Sequence, residues 1–547
     1  MTAKPKTLRL CIFTRRIFMA LSLLLWIALF PPILPSLTFP DDEARGDGAM
    51  AERYAVWTKN LIDDGYWAEA LAALERAADF ADVSSDISYL LALARSHENK
   101  PRTAVLEALN LALSVNRWNL YSAEAARLEK ANVLIILRAY EDALQELYWV
   151  SKSPREASLS LKAFAASRSW DFPRLMRDTL DRYPRETEPV RIFFHLLSNE
   201  AAVGRNPEEN KAELLELIIR RLPLLLQNDP ELAWMAAPFM WDTDEAKRLV
   251  LAYRAVNRPR LASIPAALKL GVISEETALE ELFSSSAEPL DLALLGSVWD
   301  LLRQESMKTA FRRSLSVYTG LISEDSDHDG IPETHARYSE GLLEYAIYDV
   351  NQNGMNDLVI HFEAGDPRRA MVLLPPESSA GLRPEASRKQ AQLVWERYPA
   401  VLEVELDGAR YIPRPLDLHF APVLFVELMG SGVLFPRRDP LAPLLTRRVL
   451  VSQALRVERP SLEFSGGIEV VELNQGIPVR AREYVGNLMV SETEFLRGRP
   501  QLQRVDLDFD GRMETVRHFR RQYRTVELEE LWDFDRDYDY VVSDWDE

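Results

Sequence analysis

The residues able to do chemistry in this chain are acids set at alternate positions. In DSDHDGIPE, residues 325–333, Asp325, Asp327 and Asp329 stand two apart, Gly330 follows and Glu333 closes the stretch. The pattern returns from residue 349 in DVNQNGMND, with Asp349, Asn351, Asn353, Gly354 and Asp357. It returns again from residue 506 in DLDFDGRME, with Asp506, Asp508, Asp510, Gly511 and Glu514. A frayed fourth copy, DFDRDYDY from residue 533, has Tyr538 in the glycine position, and the copies fall in pairs, 24 and 27 residues apart. Calcium takes about six to eight oxygens at about 2.3–2.6 Å. Oxygens from the first, third and fifth positions converge on one point when the chain curls tightly, and glycine at the sixth permits the curl. The acid at the ninth position ligates directly or through water. The alternative is a set of Asx turns that hold nothing.

At the first, third, fifth and sixth positions these loops resemble the EF-hand. They depart from it at the twelfth, where Ala336, Ile360 and Arg517 replace its bidentate glutamate. In this they are more similar to the short calcium loops of bacterial surface proteins and thrombospondin-type repeats. The resemblance implies a structural Ca2+ bound weakly, at about 10⁻⁴–10⁻³ M as in extracellular modules. Paired loops would then pin strand turns whose carboxylates otherwise repel one another.

Signatures of catalysis are missing. The chain contains no H-E-x-x-H, G-x-S-x-G, Walker loop or G-x-G-x-x-G. A single cysteine, Cys11, excludes an intrachain disulfide and a thiolate zinc cluster. His328 and His335 read as loop residues. With 84 acidic residues no glycosidase pair can be singled out. The formal charge of −19 argues against a nucleic-acid partner, which needs a basic surface. The expectation is a non-catalytic protein; the alternative is a cell-wall or glycan-directed enzyme, or a glycan-binding module, in the β-rich half.

The elements that must position the loops change character along the chain. Residues 41–317 read as helix after helix. YAVWTKNLIDDGYWAEALAALERA puts Tyr54, Trp57 and Leu61 on one helical face, turns at Gly65, and returns with Trp67, Ala70, Leu74 and Ala77. Thirty-four residues on, Ala104 and Ala108 take the places of Ala70 and Leu74, with Leu91 and Ala92 in the preceding helix. A third unit carries Ala131, Leu134, Tyr140, Ala143, Leu147 and Pro154 after a spacing of 39. These units resemble tetratricopeptide repeats, in which small residues let antiparallel helices approach closely. The resemblance implies an α-solenoid whose extended face binds a protein or peptide partner. Arg95 breaks the pattern, standing where a large apolar residue belongs, and Trp57 and Trp67 fall on packing positions. An irregular helical bundle is the competing reading.

From residue 318 glycine turns separate alternating segments. Asp407-Gly408 is a hairpin signal, and Gly476, Gly486, Gly498 and Gly511 recur at the spacing of an antiparallel meander. The expected class is α+β multidomain. A tetratricopeptide-like solenoid (41–317) is followed by a β-rich segment with paired acidic loops (318–375), a loop or linker (376–400), and a β-meander with the second loop pair and an acidic tail (401–547).

Residues 1–40 have a basic leader (Lys4, Lys6, Arg9, Arg15, Arg16) and an apolar run from Ile17 to Phe30, with Asp41, Asp42 and Glu43 beyond. This asymmetry predicts a signal peptide or signal anchor, with everything after residue 40 exported to the periplasm or cell envelope. Cleavage after Ser36 would release the chain; an uncleaved segment 17–39 would hold it in the membrane. TRRIFM also resembles a twin-arginine export signal.

Overall fold

The computed structural model describes residues 41–547 apart from 81, 83, 203–208, 258–259, 285–287, 327–329, 375–388, 415–417, 443–444, 520–539 and 545–547. The leader and anchor expected in residues 1–40 lie outside the described residues, as does the fourth acidic copy up to residue 539. No described helix is long and apolar enough to cross a membrane.

The chain opens with four helix pairs: α1 (Asp41–Asp63) with α2 (Trp67–Arg76), α3 (Ser85–His97) with α4 (Arg102–Val115), α5 (Ala123–Ile136) with α6 (Tyr140–Tyr148), and α7 (Pro154–Ala166) with α8 (Phe172–Arg182). One local device closes all four. A residue with positive φ ends the first helix of each pair: Gly65 at 84°, Asn99 at 51°, Arg138 at 62° and Arg168 at 52°. The next amide then donates back five residues, Tyr66 to Leu61 at 2.8 Å, and Lys100 to Arg95, Ala139 to Leu134 and Ser169 to Phe164 at 2.9 Å. This is the left-handed helix stop that satisfies otherwise orphaned carbonyls. Within the pairs, Ala70, Leu74, Ala92, Ala108, Ala131 and Ala143 are buried, so backbones approach closely. Each helix packs on its neighbour, and α1 reaches α3, α5 reaches α7. Buried Asp86 of α3 ties successive pairs together, accepting the amides of Asn119, Leu120 and Tyr121 ahead of α5. Arg95, the residue that broke the apolar pattern, donates to the carbonyl of Ala104 at 2.9 Å and so bridges α3 to α4. Trp57 departs from expectation: it is 47% exposed, with Tyr54 of the same helix edge-on to its ring.

Helices continue to Ser316, and the chain then enters an antiparallel meander. Among the described residues one sheet holds sixteen strands, neighbours in space being neighbours in sequence, with the hairpin Val423–Glu427 and Leu434–Arg438 left out as a separate pair. Only its first pairing, Leu290–Asp291 with Gly320–Glu324, is parallel. Two-residue turns with positive φ at both positions, Glu340-Gly341, Ala364-Gly365, Asp407-Gly408, Gln475-Gly476 and Arg497-Gly498, match the right-handed strand twist.

Two expected boundaries do not divide the molecule. Of segment 376–400, read as a linker, residues 390–397 form a strand in mid-sheet, with Ala391, Leu393 and Trp395 buried on alternate positions. The alternation was hidden behind a stretch rich in Pro, Ser and Glu, which reads as loop. The step at 317/318 is also bridged by a common core: Leu282, Leu295, Val298, Phe311 and Leu315 of the last helices pack with Ile322, Tyr338, Tyr348 and Trp395 of the sheet.

Candidate functional site

The three acidic loops share one end of the sheet. Strands Gly320–Glu324 and Thr334–Ser339 flank the first, Leu342–Tyr348 and Leu358–Glu363 the second, Arg499–Val505 and Thr515–Phe519 the third. An even number of strands separates each from the next, so all three lie at the same end of their strands, the first two near one another and the third ten strands beyond the second.

One hydrogen bond recurs in all three. The glycine amide at the sixth position donates to the first aspartate's Oδ2, Gly330 to Asp325 and Gly354 to Asp349 at 2.7 Å, and Gly511 to Asp506 at 2.8 Å. The glycines have φ of 92°, 79° and 92°, a region that disfavours side chains. Asp327 and Asp329 of the first loop lie outside the described residues.

The ninth position separates the loops. Glu333 accepts the Ser326 amide at 2.8 Å and Arg138 Nη2 at 3.0 Å. Asp357 accepts the Val350 amide at 2.9 Å and lies 3.6 Å from Arg438. In the second loop the amides are also met from within. Asn353 donates to Asp349 Oδ1 at 3.0 Å and to Asn351 Oδ1 at 3.1 Å, and its own Oδ1 accepts the Met355 amide at 2.7 Å. Burial raises the Asp349 carboxyl above the usual range; Asp357 adds repulsion, and the loop amides and Arg102 oppose it.

The third loop is arranged otherwise. Asp506, Asp508, Asp510 and Glu514 bring one carboxylate oxygen each within 4.8 Å of one another. Two oxygens bound to one calcium ion stand at most about 4.6–5.2 Å apart, twice the bond length. Asp506 is fully buried and its Oδ1 has no hydrogen-bond partner. No described Lys or Arg pairs with any of the four. Asp508 and Asp510 are exposed, each accepting one loop amide, from Asp510 at 3.2 Å and Arg512 at 2.8 Å. Four converging carboxylates, one of them buried with an oxygen left unmet, suit a hard divalent cation.

The histidines stand apart from this chemistry. His335 is a strand residue rather than a loop residue, its Nδ1 2.9 Å from Ser323 Oγ, and burial lowers its pKa. His328 lies outside the described residues. The residues that sequence reasoning missed are Arg102 and Arg138, which reach the first two loops from the helix pairs. Their signal is a basic residue in successive intra-pair turns, visible only once those turns are aligned.

No protein-family model matches this chain. It is similar to an uncharacterized protein of Treponema pallidum (strain Nichols), 22% identical over 597 residues that take in 88% of this chain and 74% of that one. Among solved structures, a tetratricopeptide repeat protein of Parabacteroides merdae ATCC 43184 matches with TM-score 0.33 and 12% identity, over 48% of this chain and 98% of its own. Pseudomonas aeruginosa pilF matches with TM-score 0.26 and 16% identity, over 44% of this chain and 95% of its own. The pentatricopeptide repeat protein PPR10, solved with an 18-nt psaJ RNA element, matches with TM-score 0.24 and 19% identity, over 56% of this chain and 49% of its own. With every TM-score this low, the helix-pair architecture rests on the packing and turns described above.

Proposed function

We propose that the chain is a non-catalytic interaction scaffold of the cell envelope, whose helix pairs bind a protein or peptide partner and whose sheet is braced by Ca2+ at its acidic end. The observation that carries this reading is the recurrence of one turn at Gly65, Asn99, Arg138 and Arg168. Serial helix pairs built on such a turn present an extended surface in which each pair contacts chiefly its neighbours, and such surfaces serve recognition. The net charge of −19 weighs against an RNA ligand of the kind in the PPR10 structure.

Calcium is the cofactor that the third loop fits best. Asp506, Asp508, Asp510 and Glu514 would hold it, and its role is to neutralise four converging carboxylates and fix the turn between two strands. Residues 1–40 supply the export signal in this reading, which accords with a weak extracellular type of calcium loop. The test uses the full-length chain as bait in extracts of the envelope fraction. Recovery of a defined protein, lost when exposed helix-pair side chains are substituted, supports the scaffold. Retention on polysaccharide through the sheet, with no protein bound, favours the glycan-directed alternative.

A further inference from the structure

The first two acidic loops face protein cations, whereas the third does not, and this difference has a structural consequence. Arg102, at the start of α4, donates its amide to the Asn353 carbonyl at 2.5 Å and its Nη1 to the Gln352 carbonyl at 2.8 Å. Arg138, in the corresponding turn of the next pair, donates to Glu333 Oε1 at 3.0 Å. Gln352 binds the two loops into one block, its Nε2 reaching the Ile331 carbonyl at 2.9 Å and Glu333 Oε1 at 3.4 Å. Glu333, Gln352 and Asn353 are all at least 94% buried.

We propose that the first two acidic loops are a clamp that fixes the sheet to the turn edge of the second and third helix pairs, with Arg102 and Arg138 as its anchors. The approach leaves a side chain little room in between. A Cβ on Gly354 would stand 3.3 Å from the Lys100 carbonyl and 3.4 Å from the Arg102 amide. The carbonyls of Gln352 and Asn353 point outward at Arg102 because the Asx turns of the loop curl its carboxylates inward. The anchors sit in equivalent turns of consecutive pairs, so the clamp reads the helical repeat as well as its charge. One edge of these pairs is thereby covered, and a partner must reach them on another face. The clamp goes beyond the scaffold reading and does not depend on Ca2+.

Hydrogen exchange of the full-length chain in excess chelator tests the clamp apart from any calcium effect. Segments 96–104 and 349–357 are compared in the wild type, in Arg102→Ala and Arg138→Gln singly and together, and in Arg102→Lys with Arg138→Lys. The double Ala/Gln variant is expected to speed exchange in both segments by about tenfold or more, while strands 468–505 keep their protection. The lysine pair, which keeps the charge, is expected to change both by less than about threefold. Arg138→Gln alone gives a milder change of the same kind, which keeps the test informative should the double variant unfold. Unchanged exchange in either segment, or equal loss with lysine, overturns the clamp.

Discussion

Gly511 donates its amide to Oδ2 of Asp506 at 2.8 Å, while the other oxygen of that buried carboxylate has no partner. A buried acceptor left unmet costs about 1–3 kcal/mol, more when charged. A cation supplied from solution would remove that cost and offset the repulsion among Asp506, Asp508, Asp510 and Glu514. At a dissociation constant of about 10⁻⁴–10⁻³ M, 10 mM calcium should add roughly 1.4–2.7 kcal/mol of stability. Asp508→Ala should abolish most of the increment while costing little in chelator, as read by urea unfolding with and without calcium.

Glycine substitutions separate the loops by what surrounds them. Ala at 354 or 511 must adopt a positive φ, a strain of about 1–3 kcal/mol. At 511 the new methyl meets only Leu488 Cδ1, at 3.7 Å, whereas at 354 it meets the Lys100 carbonyl at 3.3 Å. Gly354→Ala is therefore expected to be the more destabilising of the two in denaturant titration. It should also loosen segment 96–104, which Gly511→Ala should leave alone.

Acidification acts on a second buried carboxylate. Glu483 lies directly opposite Glu469 on the neighbouring strand. Burial holds its carboxyl above the ordinary 4.5; Glu469 and Glu463 push the same way, and the hydroxyls of Ser461 and Ser491 oppose. The folded chain thus holds this proton more tightly than the unfolded one. The resulting stabilisation is full below about pH 4.5 and is lost as pH rises through the folded value. Glu483→Gln should accordingly be more stable than wild type at pH 7, with the gap closing as the pH falls toward 4, measured by thermal unfolding across the range.

Core and surface positions of the helix pairs should differ sharply. Leu90 of α3 is fully buried, and Leu90→Ala should cost about 2–5 kcal/mol. Trp57, half in solvent, should cost under about 1 kcal/mol on replacement by alanine. Equal losses at the two positions would contradict the packing described for the first two pairs.

How far the fold could be read from sequence depended on whether local chemistry or distant packing decided each element. The small residues Ala70, Ala108 and Ala143, and the spacings of 34 and 39, were visible because helix pairs repeat locally. The fourth turn, at Arg168, was not, since Pro173 stands five residues after it, where the other three pairs carry Ala70, Ala104 and Ala143. Trp57 misled because one helical face does not reveal which side a neighbour takes. The strand carrying Trp395 was masked by the composition just before it. In the acidic loops the glycine curl was legible position by position. What sequence hid was the distinction among them, because Arg102 and Arg138 lie some two hundred residues away and the orphaned oxygen of Asp506 is a fact of burial.

In the proposed scaffold the helix pairs, and not the sheet, engage a protein partner. Photo-reactive side chains placed singly at exposed Tyr148, Trp170 and Trp241 of the helical half, and at exposed Leu462 and Leu507 of the sheet, would test it in the full-length protein in its own cell. Discrete protein adducts are expected from one or more of the helical positions and none from the sheet. Adducts confined to the sheet, or a helical half that yields none, would contradict it.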